Sequence, residues 1–242
     1  MDTQTHQTQS LSKDGSIVGL YAGWVHPQTK QWQPLLELRK STLGYHLYPT
    51  SNYLAIAKEY LGMPEILGLS DLKEEYIHSS IPSIFSRRVP TVREDIGELC
   101  HLLDLEFPDI DPFAFMTRTG GKINGDPFSI CPILAPNTDG NYEFYCSIVT
   151  SAKLNQAWDS SKTVSKIELN EHEEASVRID GDKYYLYLPE FFSQLQGSVI
   201  EGEILNISEP SVFGRTVFAK VVIASENPYA SSTFSRLQLA KV

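Results

Sequence analysis

The sequence has few cysteines, no long apolar run and no concentration of positive charge, and each shortage excludes a class of function. Its three cysteines, Cys100, Cys131 and Cys146, are odd in number and show no CxxC spacing. That argues against a disulfide framework or a thiolate metal site, and for buried, reduced thiols in a cytoplasmic protein. No apolar run approaches the roughly 20 residues that a membrane-spanning helix needs, so no membrane partner is expected. The opening residues, MDTQTHQTQSLSKD, lack both the basic and the apolar regions of a signal peptide, and residues 1–14 are expected to form a disordered tail. Thirty acidic residues outnumber 20 basic ones, giving a formal net charge of −10. The deficit runs along the chain: residues 1–140 carry 11 basic and 17 acidic groups, residues 141–242 carry 9 and 13. Duplex nucleic acid is gripped mainly by clustered Lys and Arg that displace counterions, and neither half is built that way.

Motifs for chemistry are equally scarce. The six histidines, His6, His26, His46, His78, His101 and His172, make no HExxH, HxH or Cys/His ligand spacing. His101 follows Cys100 in a helical pattern, where adjacent side chains point about 100° apart and cannot converge on one metal. TRTGGKINGD (117–126) is neither a P-loop nor a dinucleotide fingerprint. It follows a helix, whereas a phosphate-cradling loop precedes one, so it reads as a helix stop and turn. No GxSxG is present, no Ser/His/Asp ordering is specific enough to argue from, and Glu171, Glu173 and Glu174 read as a solvated turn. The expectation is a protein without cofactor, metal or catalysis. A nuclease or hydrolase with an unsignalled carboxylate site is the less favoured alternative.

What is present is architecture. With 242 residues, 41% hydrophobic and 21% charged, the chain can bury one large core or two smaller ones. SIVGLYAGWV, QWQPLLELRK and GYHLYP, within residues 17–49, are apolar runs separated by turn signals at Pro27 and Gly44, which predicts a three-stranded meander. YLAIAKEYLGM carries a helical stripe stopped by Gly62 and Pro64. Thr91 and Glu94 stand at capping-box spacing, followed by Val92, Ile96, Leu99, Leu102 and Leu103 on one helix face. A shorter helix is announced by Asp111 as N-cap and Pro112 at the first helical position, and is stopped by Gly120. PFSICPIL then reads as a buried strand, and residues 135–141 as a linker. Beyond it lie YEFYCSIV, SKIEL, ASVRI, KYYLYL, VIEGEILNI, TVFAKVVIA and FSRLQLAKV, interrupted by one short helix at 188–197. Seven short strands and one helix suggest a compact barrel or sandwich.

Two groups of residues are candidates for binding. Arg87, Arg88, Arg93, Arg118 and Lys122 gather five cations in an otherwise acidic chain, where they either share a phosphate- or acid-binding face or pair with Glu94, Asp95 and Asp126. Tyr184, Tyr185, Tyr187, Phe191 and Phe192 offer aromatic platforms on which bases stack. In a strand Tyr185 and Tyr187 share one face and Tyr184 takes the other, so one set belongs to the core.

A resemblance comes with the order of features in the first half. A β-meander, then Phe85, Arg87, Arg88, Pro90 and Arg93, a capped helix, Asp111-Pro112-Phe113, Arg118-Thr119-Gly120-Gly121, and Asp126 with Phe128 in a strand resemble bacterial HIRAN-domain proteins. Those carry a module similar to the N-terminal subdomain of HipA-type kinases ahead of the HIRAN domain. The resemblance covers about residues 17–134. In the second half the asparagine-proline-aspartate turn of the family is replaced by Glu171, His172, Glu173 and Glu174, and its glycine–tyrosine strand by Tyr185, Leu186, Tyr187, Leu188 and Pro189. The HIRAN barrel grips single-stranded DNA ends, and carboxylates beside a phosphate oppose that. The HipA kinase domain has no counterpart among the strand-rich residues that follow, so the resemblance does not imply phosphoryl transfer.

The expected fold is therefore α+β. Residues 15–136 would form a HipA-N-like domain of meander and helices, and residues 141–242 a small, mostly antiparallel, HIRAN- or OB-like β-barrel. The expected function is a non-catalytic cytoplasmic binding or regulatory protein with a protein partner, in a defence or toxin–antitoxin setting. The alternative is a single-stranded DNA end-binding module. The candidate contact residues are Arg87, Arg88, Arg93, Arg118, Lys122, Tyr185 and Tyr187.

Overall fold

The computed structural model describes residues 17–60, 69, 73–90, 96–121, 123, 126, 128–150, 162–170, 176–189, 199–207 and 217–225. The expected tail, the Gly62 and Pro64 helix stop, the Thr91–Glu94 capping pair, residues 190–197 and the strand at 234–242 lie outside these. The described residues are mixed α and β, with two mostly antiparallel sheets and four short helices.

The first sheet is built on the meander: β1 (Ile17–Val25), β2 (Trp32–Ser41) and β3 (Gly44–Pro49). It is extended by β4 (Tyr76–His78) and β5 (Phe128–Leu134) in the order β4-β3-β2-β1-β5. Cross-strand register places Leu20 opposite Leu38, Ala22 opposite Leu36 and Leu38 opposite Leu47, so one face carries an apolar row. Helices α1 (Ser51–Glu59), α2 (Ser83–Ser86) and α4 (Pro112–Thr119) cover it with Tyr53, Ile56, Ile84, Phe85, Phe113 and Met116. Burying one such side chain contributes roughly 1.5–3 kcal/mol.

Helix α3 (Ile96–Leu102) presents Ile96, Leu99 and Cys100 at helical spacing, and with Leu103 beyond its end they pack on Phe115 and Val89 in a satellite cluster. Helix α4 begins and ends as its sequence predicts. The Asp111 side chain accepts a hydrogen bond from Phe113 N at 3.0 Å, and Gly120 turns left-handed at φ 69° to close the far end.

The second sheet holds β6 (Asn141–Thr150), β7 (Lys162–Thr163), β8 (Lys166–Asn170), β9 (Ser176–Asp180), β10 (Lys183–Pro189), β11 (Val199–Ile207) and β12 (Val217–Ser225). Their order is β7-β11-β12-β6-β9-β10-β8, with β6/β9 and β8/β10 parallel and the other neighbours antiparallel. Leu188 and Pro189 end strand β10, where the sequence led us to expect the start of a helix; their register with β8 holds them extended. Tyr142, Phe144, Cys146, Val177, Leu186, Leu188, Ile204, Val221 and Ile223 form this sheet's core.

The two edge strands, β7 and β8, are consecutive in the chain and separated by Val164 and Ser165 alone. Thr163 and Lys166 are three residue steps apart, at most about 11 Å, so the ends of the two edge strands lie near one another. Val164 N donates to Gly202 O (2.8 Å) on β11, and Ser165 N donates to Tyr184 O (2.7 Å) on β10, so the linking dipeptide is hydrogen-bonded to both flanks. Among the described residues no ladder joins β7 to β8, and no closed barrel is found.

Candidate functional site

The basic residues of the 87–122 segment separate into different environments. Arg88 is an internal bracket with a fully buried side chain. Its Nε donates to Ile84 O (2.9 Å), Nη1 to Gly121 O (2.7 Å), and Nη2 to both Asp126 Oδ2 (2.9 Å) and Phe128 O (3.1 Å). Burial lowers its pKa below the ordinary guanidinium value, and Asp126 partly offsets that. Arg118, also buried, donates from Nη1 to the carbonyls of Leu103 and Asp104 just beyond the end of α3. Its guanidinium carbon lies 5.2 Å from the centre of the Tyr145 ring on β6. Arg87 differs: it is half exposed and pairs with Asp126 at 3.0 Å. Arg93 and Lys122 lie outside the described residues. Two of the cations therefore hold the fold together and share no outward face with Arg87.

Tyr145 alternates with the core residues Phe144 and Cys146, so α4 and its Arg118 pack on the outer face of the second sheet at β6. Further along that face lie Tyr185 and Tyr187. They alternate on β10 with the fully buried Leu186 and Leu188, while Tyr184 packs against the core. Tyr185 stands opposite Lys166 on β8 and Arg178 on β9; Tyr187 stands opposite Glu168 and Ser176. Lys166 and Glu168 form an ion pair, and hydrogen bonds from Lys166 and then Tyr187 hold the Glu168 carboxyl below the ordinary carboxylate range. The same bond to Glu168 raises the Lys166 pKa. Lys183 faces Asp180 in register, and Arg178 faces Tyr185. The result is a half-buried aromatic pair set among charges, a surface suited to flat or extended ligands.

A second polar constellation sits on the first sheet. Ser41 ends β2, and Gly44, at φ 123°, starts β3 across a two-residue turn. A Cβ at Gly44 would meet His78 O at 2.4 Å, so only glycine lets β4 approach. In that hairpin Ser41 and His46 are diagonal neighbours on one face, and Ser41 Oγ lies 2.8 Å from His46 Nε2. His46 Nδ1 lies 2.7 Å from Glu75 Oε1, just ahead of β4. A carboxylate only accepts, which puts a proton on His46 Nδ1; in the neutral ring Nε2 then accepts from the serine hydroxyl, whose one proton also has Gly44 O at 3.5 Å as an acceptor. No sequence motif marks these three residues; knowledge of the hairpin register would have paired Ser41 with His46, but Glu75 is brought in by a three-residue strand.

Among the described residues no group of three or more His, Cys, Asp or Glu side chains is placed to hold a metal, and no helix is long and apolar enough to cross a membrane. No family model, no curated protein and no solved structure matches this chain.

Proposed function

We propose that the chain is a binding and regulatory protein that acts through macromolecular contacts, and that the outer face of its second sheet is the contact surface. The observation that carries this reading is the placement of Tyr185 and Tyr187 outside the core, in register with Lys166, Arg178 and Glu168. Aromatics with satisfied polar neighbours give large contact area at low entropic cost. Kinship with HIRAN-domain proteins carrying a HipA-N-like module is part of the proposal. It is supported by the order of features in the first half and by the adjoining edges of the second sheet, which suit a barrel-like closure. Affinity capture from the native cytoplasm tests it. A stoichiometric protein partner retained by the wild type and lost with Tyr185→Ala/Tyr187→Ala is expected; a capture that recovers none overturns the protein-partner form.

A second reading, binding of single-stranded DNA, is favoured by the two cations flanking Tyr185. A stacked base is worth about 1–3 kcal/mol and phosphates would meet Lys166 and Arg178. Fluorescence anisotropy with labelled oligonucleotides, their 3′ ends free or blocked, across a salt series tests this. Binding that survives moderate salt and falls at least about fivefold with Tyr185→Ala supports it. Affinity that vanishes at moderate salt, or is unchanged in the variant, removes it.

A further inference from the structure

The hydrogen-bonded chain Ser41–His46–Glu75 has the arrangement of an activated nucleophile: a hydroxyl on the bare nitrogen of an imidazole whose other nitrogen is held by a carboxylate. The imidazole is buried, with 9% of its side chain exposed, and its ring lies nearly parallel to Tyr48 at 6.4 Å, so its orientation is fixed. Ser41 is half-buried at the rim of the sheet. Its Oγ also accepts from Leu43 N at 3.1 Å and lies 3.5 Å from Gly44 O. Two exposed apolar side chains flank the group. Leu43, in the turn, is 77% exposed; Ile77, directly opposite His46 on β4 and so on the same face, is 60% exposed. Nucleophile, base, orienting carboxylate and an apolar flank are thus collected at one corner of the first sheet, far in the chain from the tyrosines of β10.

We propose that Ser41, His46 and Glu75 form a nucleophilic relay that cleaves activated esters of short acyl chains lodged against Leu43 and Ile77. This goes beyond the binding reading and departs from the sequence expectation of no catalysis. The Ser41 oxygen adds to the ester carbonyl carbon as its proton passes to His46 Nε2. The tetrahedral oxyanion collapses, the bond to the leaving alkoxide breaks, and that group takes the proton from Nε2–H. A water molecule then adds to the acyl-Ser41 ester by the same route, releasing the carboxylic acid and restoring the hydroxyl. Ser41 and His46 touch the reacting atoms and are the catalytic residues; Glu75 is a positioning residue that holds the Nδ1–H tautomer.

The test is labelling of the full chain with a tagged fluorophosphonate, whose phosphorus forms a bond to a nucleophilic serine with loss of fluoride, alongside hydrolysis of p-nitrophenyl butyrate. Expected are a single modified peptide containing Ser41, complete loss with Ser41→Ala, and a labelling rate about 100-fold lower with His46→Gln. Glu75→Gln should lower kcat with KM unchanged, and Glu75→Asp should recover part of it. Circular dichroism establishes that each variant folds, and Ser41→Cys, challenged with a thiol-directed chloromethyl ketone, supplies a second route if Ser41→Ala does not. Labelling no greater than that of the unfolded chain, or unchanged in Ser41→Ala, overturns the proposal and leaves the group as a brace between hairpin and β4. The labelling readout needs neither a partner nor an oligonucleotide, so failure here and failure of the binding reading are separable.

Discussion

Arg118 of α4 places its guanidinium carbon 5.2 Å from the centre of the Tyr145 ring of β6, so one side chain both closes the carboxyl end of α3 and docks the helical layer on the second sheet. Arg118→Ala removes hydrogen bonds to the Leu103 and Asp104 carbonyls together with the ring contact. A loss of about 2–4 kcal/mol is expected in denaturant unfolding. A double-mutant cycle with Tyr145→Leu should return a coupling of about 0.5–2 kcal/mol, and additivity would show that the ring contact contributes nothing.

Arg87 and Arg88 are neighbours in sequence with opposite fates, and their variants should differ accordingly. Arg88→Ala leaves Asp126, whose side chain is 7% exposed, with Arg87 as its remaining cation and takes the guanidinium from three buried backbone carbonyls; about 3–5 kcal/mol should be lost. Arg87→Ala removes an ion pair whose guanidinium is half in water, so at most about 1 kcal/mol is expected. Chemical denaturation of both variants in one buffer decides whether the segment is structural in the way described.

Asp111 serves two partners, capping α4 through Phe113 N and pairing with Lys40 of β2 at 2.7 Å. Asp111→Asn keeps the cap and loses the ion pair, so it should cost less than about 1 kcal/mol. Asp111→Ala loses both and should cost about 1–2 kcal/mol. Equal losses in thermal unfolding would show that the cap contributes nothing.

Burial pushes the thiols of Cys100 and Cys146 up from their ordinary value of 9.0. The folded chain therefore keeps protons that the unfolded chain releases. The associated stability is fully present below 9.0 and declines as pH rises above it toward the folded values. Denaturant midpoints should fall between neutral pH and about pH 10, and by less in Cys146→Ser/Cys100→Ser than in the wild type. Iodoacetamide at neutral pH should modify these thiols only after denaturant is added.

Local signals were legible in the sequence where local physics decides them. Asp111, Pro112 and Gly120 specify the ends of α4 because a cap, a fixed φ and a left-handed residue act within one turn of helix. Leu36, Leu38 and the turn at Gly44 likewise announce the meander. The site was less legible. Pairing of the cations with Asp126 is one of two readings the sequence leaves open, but nothing nearby in sequence shows that Arg88 will be buried with the carbonyls of Gly121 and Phe128 around it. Strand β4 is three residues long and has no period to detect, so the approach of Glu75 to His46 depends on tertiary pairing. The closeness of β7 and β8 is also invisible in the pattern, since alternation gives faces and not neighbours.

The position of β12 bears on how this protein is made. Strand β12 lies between β11 and β6 in the sheet order, yet it is the last described element to leave the ribosome. Until Val217–Ser225 emerges, β6 has no antiparallel partner along Asn141–Ile148, and its Tyr142, Phe144 and Cys146 cannot be sealed beneath Val221 and Ile223. The nascent second half therefore holds β6 and β11 with one edge each unpaired until its last described strand is made, the condition in which strands seek partners from other chains. A ribosome pause ahead of β12, or loss of that strand, would yield an aggregating species rather than a shorter working one.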